Sequence, residues 1–365
     1  MPQMAWPGPL APTCAWARNP PCPRAAPHPK HPPPPPSPPP STRWTAHDYY
    51  GEPGGFPHIS SRFGQFDLAG FHKAPASWFQ ARWLASIPPA DAGRPPLPLT
   101  TTVRIVELWQ APNDAPRQCP AGQACRKINV YSSAPTVRLS VNGGPYTYLA
   151  GGNGVFSGTV LYAPGTLLAQ ALGADNATVL ASHSRASWGA PAALALSVDA
   201  PSPATGTGSA LYLDGMDVAL VRASILDAQG NVVGDAALNV SFAIAAGPGL
   251  VVGVGNGDPG CLSPNQVAWR EAYHGLARAV VRVTLDAATP DAVRARRIAM
   301  EVDAGRGGRS SSSMPVGGTP PRAITVTASA PGLPPATLDI PLSVDPRDAP
   351  LAVAAASVGL ADLGA

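Results

Sequence analysis

KINVYSS at residues 127–133 and TVRLSVN at residues 136–142 carry the pattern that decides the fold. Ile128 and Val130 alternate with Lys127, Asn129 and Tyr131; Val137, Leu139 and Val141 alternate with Arg138 and Ser140. A period of two puts the apolar side chains on one face of a strand and the polar ones on the other. Asn142-Gly143 then offers a tight hairpin turn. The pattern continues outward: Val103 to Trp109, Thr166 to Leu172 and Ala177 to Arg185 alternate as well. Gly151-Gly152-Asn153-Gly154 marks a second turn. Residues 100–187 therefore read as one antiparallel β-sandwich.

A second alternating series starts near Ala190. Its strands are Leu194 to Val198, Val218 to Asp227, Leu238 to Ile244, Leu250 to Val254, Leu276 to Leu285, Ile324 to Ala330 and Ala336 to Val344. Gln229-Gly230-Asn231 turns its first hairpin. These segments predict a further immunoglobulin-like sandwich over residues 190–345. It is interrupted at 287–322 by an Arg-, Gly- and Ser-rich stretch that reads as a disordered insertion. Residues 346–365 form a tail.

Composition agrees with a mainly β chain. Its 365 residues include 47 Pro and 37 Gly, close to the share that marks low complexity. Both residues disfavour helix interiors and suit short strands joined by turns. Charged residues are only 13% and the net charge is +3, too weak a field to imply a nucleic-acid or membrane partner. No apolar run is long enough for a transmembrane helix. Localisation is not fixed by the sequence: no signal peptide is visible, and secretion and a vacuole are both left open.

Seventeen of the first 40 residues are proline, so residues 1–42 read as a disordered, polyproline-like segment. Order is expected from Arg43. Trp44 to Tyr50 predicts a short aromatic strand, Gly51 to Gly55 a turn, and Phe63 to Phe71 a loop. Ala74 to Ile87 predicts a helix, with Pro75 in its first turn and Trp78, Phe79, Trp83 and Ile87 on its packing face. Pro88-Pro89 ends it, and residues 88–99 read as a linker. Five cysteines are too few for a disulfide scaffold. Cys119 and Cys125 flank a short loop that an oxidising compartment could close. Asn176 and Asn239 stand in glycosylation acceptor triplets.

WTAHDYYGEP at 44–53 followed by SSRFGQFDLAGFHK at 60–73 resembles the end of the catalytic barrel of family 2 glycoside hydrolases, in the β-galactosidase branch. There, W-T-x-x-D-Y-x-G-E-P precedes S-S-x-F-G-x-x-D-x-x-G-F-x-K. VYSSA at 130–134 and VNG at 141–143 are similar to the core of the sandwich that follows that barrel. LDGMD at 213–217, VGNGDP at 254–259, YHGLA at 273–277 and ITVTASAPGL at 324–333 resemble the C-terminal immunoglobulin-like domain. The likeness spans roughly residues 43–345.

The resemblance implies a fold of two sandwiches preceded, at 43–87, by the last strand and helix of a (β/α)₈ barrel. It also implies a retaining mechanism in which two glutamates flank the glycosidic bond, about 5–5.5 Å apart. This chain has four glutamates, Glu52, Glu107, Glu271 and Glu301. None follows an asparagine, as the family's acid/base does, and no two fall in one barrel segment. No catalytic residue is therefore assigned, and the chain is expected to be inactive alone. The resemblance places Trp44 in a sugar-stacking wall, Asp67 and Lys73 in the loop that rims the sugar site, and Asp48 and Glu52 towards the same rim. Barrel packing is the alternative for Trp44, and a turn cap for Glu52. No cofactor is implied, and His47, His58 and His72 match no metal-ligand spacing. The partner of the parent enzyme is a β-galactoside-like carbohydrate. The competing reading is a non-catalytic carbohydrate-binding or adhesive protein, against which stands the retained barrel motif. With the rest of a barrel missing, residues 44–87 are expected to dock loosely.

Overall fold

The alternating segments pair into four sheets in a computed structural model that describes residues 44–86, 101–111, 123–202, 205–285 and 322–343. The proline-rich 1–42, the 88–99 linker, all of the 287–322 insertion except Arg322, and the 346–365 tail lie outside the described residues. The described residues belong to one compact unit that starts at Trp44.

Helix α1 (Ala74–Ser86) comes first, followed by β1 (Val103–Ile105), β2 (Cys125–Ser132), β3 (Thr136–Val141), β4 (Thr147–Tyr148), β5 (Ala150–Gly152), β6 (Val155–Leu161), β7 (Thr166–Leu172) and β8 (Val179–Ala186). One sheet has the order β1-β2-β6-β5 and its companion β4-β3-β7-β8, all neighbours antiparallel. The alternate residues of the decisive stretch meet between them: Ile128, Val130, Val137 and Leu139 are buried with Phe156, Leu167 and Trp109. Asn142 and Gly143 both have positive φ, 51° and 71°, the primed turn that matches strand twist. The Asn142 amide also accepts from the Thr166 N–H at 2.7 Å, tying the turn to β7.

The second sandwich is built from β9 (Ala193–Ala200), β10 (Leu211–Tyr212), β11 (Val218–Leu226), β12 (Asn239–Ala246), β13 (Gly249–Gly255), β14 (Trp269–Glu271), β15 (Leu276–Val283), β16 (Ala323–Ser329) and β17 (Ala336–Ser343). Its sheets run β13-β15-β11-β9 and β10-β17-β16-β12-β14. The β10–β17 pair is parallel; its other neighbours are antiparallel. Val221, Ile225, Val240, Phe242, Val281 and Ile324 fill the core. Cys125 is disulfide-bonded and Cys261 is free. Cys14, Cys22 and Cys119 lie outside the described residues.

Three expectations for the first segment need correction. Trp44 to Tyr50 is not a strand but a run with isolated bridges, His47 to Phe66 and Tyr50 to Ser60. Its ladder is broken because the Tyr49 N–H donates to the Ser61 hydroxyl, at 3.0 Å, instead of to a carbonyl. The helix buries its small residues most deeply: Ala76, Ser77 and Ala81 are buried, Trp78 and Phe79 are half-buried, and Trp83 is 52% exposed. Small side chains let the helix approach β2 closely, and Arg82 Nη1 donates to the Asn153 carbonyl at 3.2 Å. Trp78 meets Phe79 edge-on and Phe79 lies tilted against Trp83, with centroids 4.7 and 5.2 Å apart. Ile87 lies outside the described residues.

The third correction is that the segment is bound firmly, and to the second sandwich as well as the first. Arg278 of β15 donates from Nη1 to the Ala69 carbonyl, pairs with Asp199 and lies over the Phe71 ring at 4.3 Å. The Ile59 N–H reaches the Pro259 carbonyl at 2.9 Å, and Asn265 Nδ2 donates to the Tyr50 hydroxyl at 2.7 Å. Arg278→Ala should therefore cost about 3–5 kcal/mol, as when one partner of a buried pair is removed. Urea unfolding measures it; a loss under about 1 kcal/mol would show that Arg278 does not hold the segment.

Candidate functional site

Trp44 stands at the outer end of the first segment, 73% exposed. Its indole Nε1 donates to the Tyr49 hydroxyl at 3.2 Å, and the Tyr49 hydroxyl donates in turn to the Glu52 carboxylate. That last bond, with the neighbouring negative charge, raises the Tyr49 pKa. The Tyr49 ring meets Trp44 and Phe63 edge-on, with centroids 6.5 and 5.9 Å away. The relay fixes the edge of the Trp44 ring, so its exposed surface is held in one orientation. An aromatic face of this kind suits the C–H side of a sugar ring.

Asp48 and Lys73, 25 residues apart, are brought together. Lys73 Nζ donates to both Asp48 oxygens, at 3.0 and 2.8 Å, and to the Arg62 carbonyl at 2.9 Å. Asp48 is buried and also accepts from the Gly64 N–H at 2.7 Å. All three ammonium protons thus have acceptors within the chain, and the pair ties the start of the segment to its end. Asp67 sits separately. One of its oxygens accepts from the N–H groups of Ala69 and Phe71, both at 2.9 Å, which shapes the loop before the helix. Burial pushes the Asp67 carboxyl up against the opposing pull of those two amides. Gly257 faces it so closely that a β-carbon there would lie 1.9 Å from Asp67 Oδ2. Glycine is required at 257 for that approach.

Asp48, Asp67 and Lys73, though not Trp44, line a cleft of about 520 Å³. It is bounded by the first segment, by β1 and β8 of the first sandwich, and by residues 231–234 and 273–276 of the second. Arg104 and Arg185 line it too, and sequence reasoning missed both. The signal was present in β8, where Ala181, His183 and Arg185 share the inward face while Val179 and Leu180 are exposed. Hydrophobic alternation alone assigns such a strand the wrong way round.

Burial and positive neighbours set the titration of this cleft. Desolvation lowers Arg104 and brings Arg185 down to about 10, with Arg104 adding to the effect. Burial, helped by Arg104, holds His72 at about 4. His183 is held at about 3 by burial and by Arg104 and Arg185, and its Nδ1 accepts from the Ile105 N–H at 3.2 Å. Among the described residues, no three His, Cys, Asp or Glu side chains converge as metal ligands. Glu52, Glu107 and Glu271 lie on different parts of the fold. Glu107 accepts from the N–H and side-chain amide of Asn129, at 2.7 and 2.5 Å, and Glu271 from the Ser263 hydroxyl at 3.3 Å. Glu301 lies outside the described residues.

The depressed histidines carry a prediction. Both are neutral when folded, so the unfolded chain binds more protons between pH 6.5 and about 4. Stability is therefore complete above that window and falls as the pH falls through it. Urea midpoints at pH 7.5, 5.5 and 4.5 should drop progressively, and His183→Gln should flatten the dependence. Equal slopes for the two proteins would sink the assignment.

Residues 204–296 match the family model for glycoside hydrolase family 2 C-terminal domain 5. β-Galactosidase BoGH2A of Bacteroides ovatus is 29% identical over 243 residues, which is 66% of this chain and 25% of that protein. Among solved structures, a β-glycosidase from Bacteroides vulgatus aligns with a TM-score of 0.58 at 19% identity, over 82% of this chain and 30% of that one. A family 2 glycosyl hydrolase from Bacteroides cellulosilyticus aligns at 0.54 and 19%, over 81% and 33%. The chain thus spans about a quarter of the length of its curated relative. In sequence and fold the chain is similar to the C-terminal portion of family 2 glycoside hydrolases.

Proposed function

We propose that this chain is the non-catalytic C-terminal portion of an enzyme that hydrolyses O-glycosyl bonds of β-galactosides, and that it does not cleave them alone. The similarity to the Bacteroides ovatus β-galactosidase supports the substrate class. The observation that carries the rest is the dispersal of the glutamates. Glu52 bonds Tyr49, Glu107 bonds Asn129 and Glu271 bonds Ser263, so among the described residues no two glutamates are set to face one glycosidic bond. A retaining glycosidase needs such a pair.

Within this reading, Trp44 is the residue that offers a stacking face to sugar. Asp67, Asp48 and Lys73 serve the rim; for Asp48 and Lys73 the internal pairing points to a positioning role, in which they hold the loop that carries Trp44. The domain map follows: a barrel-end segment over 43–87 and sandwiches over 100–187 and 190–345.

The test is turnover of nitrophenyl β-galactoside by the purified chain. The expected rate is the uncatalysed background. Activity that survives repurification and disappears in Glu52→Gln would overturn the proposal. Trp44→Ala should leave the melting temperature within about 2 °C, because a substitution at so exposed a site changes stability by less than about 0.5 kcal/mol. A larger drop would mean that Trp44 packs and does not present a face.

A further inference from the structure

The cleft between the first segment and the two sandwiches holds hydrogen-bond donors that lack acceptors. Arg185 Nε is buried without a hydrogen-bond partner, and so is the indole Nε1 of Trp109, a residue wholly shielded from solvent. Both residues line this one cleft. A buried donor left unmade costs about 1–3 kcal/mol, more for a charged group. A guanidinium can only donate, so its deficit is met by an acceptor and not by rotation.

Charge points the same way. Arg62, Lys73 and Arg185 line the cleft with two carboxylates, Asp48 and Asp67. Lys73 and Asp48 neutralise each other, while Asp67 is engaged by the amides of Ala69 and Phe71. The lining histidines, His72 and His274, carry no negative charge in any protonation state and neutralise neither arginine. An inward charge on an edge strand can serve to prevent edge-to-edge pairing, but that purpose does not require two arginines around one cavity. Part of the wall is apolar, formed by Ile105, Val106, Leu108, Phe71 and Trp188, and Ser184, Asn231, Tyr273 and His274 line the rest. A volume of about 520 Å³ falls in the usual range for small-molecule sites.

We propose that this cleft binds an organic carboxylate with an apolar body, its carboxylate held by Arg185 beside Arg104 and its body against Leu108 and Trp188. The planar fork of a guanidinium matches a carboxylate in a bidentate pair. The apolar wall favours a ligand with a hydrocarbon or aromatic body over a bare inorganic ion. The site shares Asp48, Asp67 and Lys73 with the rim of the glycosidase reading, but its anchor, Arg185, belongs to the first sandwich and requires no catalytic glutamate.

Thermal melting and tryptophan emission of the full chain test it, with benzoate as the probe and benzyl alcohol as its neutral counterpart, at constant ionic strength set by sodium chloride. Benzoate should raise the melting temperature and shift the emission saturably, and benzyl alcohol should not. Inorganic phosphate should bind more weakly than benzoate. Arg185→Gln should weaken benzoate at least tenfold. Should that variant fail to fold, Arg185→Lys, which keeps the charge but loses the fork, should weaken it in the same direction. Benzoate should also protect Arg185 from phenylglyoxal, read by mass spectrometry. The proposal is overturned by a benzoate response no larger than that of benzyl alcohol, by phosphate binding more tightly than benzoate, by affinity within twofold in the Arg185 variants, or by no protection of Arg185.

Discussion

Arg278 is the interaction on which the arrangement of the segments depends. It rises from β15, in the middle of the second sandwich, and its guanidinium is nearly closed off from water. A cation in that position requires compensation from several directions at once. Asp199 supplies the charge, the Ala69 carbonyl supplies an acceptor 209 residues away in sequence, and the Phe71 ring supplies a π face. Asp199 is shared with Arg222 of β11, at 3.1 Å, so the same carboxylate also braces the sheet. The loop before helix α1 is thereby fixed against the second sandwich, and with it Phe71 and His72, which form one wall of the cleft.

Helix α1 completes the placement from the other side. Its small buried face rests on β2, and a larger residue at Ala81 would push it away from the sheet. The segment therefore bridges two sandwiches with two different kinds of contact: a close apolar approach on one, and a buried cation network on the other. Each is specific in direction, and the cleft exists because the segment satisfies both.

Much of the fold was legible because period-two patterning is a direct consequence of strand geometry. It failed where core positions are not apolar. In β6, Phe156, Gly158 and Val160 share a face, and Gly158 is a packing position: a β-carbon there would come within 2.5 Å of Leu149 Cδ2. A hydrophobicity reading sees no strand there, because the neighbour supplies the bulk. The short strands β4, β5, β10 and β14 have too few residues to show a period. The aromatic face of the helix misled in part, since Ala76, Ser77 and Ala81 are buried more deeply than the half-buried Trp78 and Phe79. The motif singled out Trp44, Asp48, Asp67 and Lys73, of which the last three line the cleft and Trp44 does not. It gave no sign that Asp48 and Lys73 are partners, because that depends on how the intervening 25 residues fold back.

Arg104 and Arg185 were beyond reach for a related reason. They lie on β1 and β8, edge strands of two different sheets, and only the stacking of those sheets sets them side by side. Desolvation is unfavourable to both guanidiniums, and the charge of Arg104 adds to it at Arg185. Sandwich edges ordinarily carry such charges outward, where water screens them. Here the outward positions of β8 are taken by Val179, Leu180, Ser182 and Ser184, and the inward ones by His183 and Arg185. Holding these guanidiniums partly out of water carries a desolvation cost. The physical consequence is a fixed, partly dehydrated positive potential facing an apolar wall, in which an oxyanion is stabilised far more than the same contact would provide at an exposed surface.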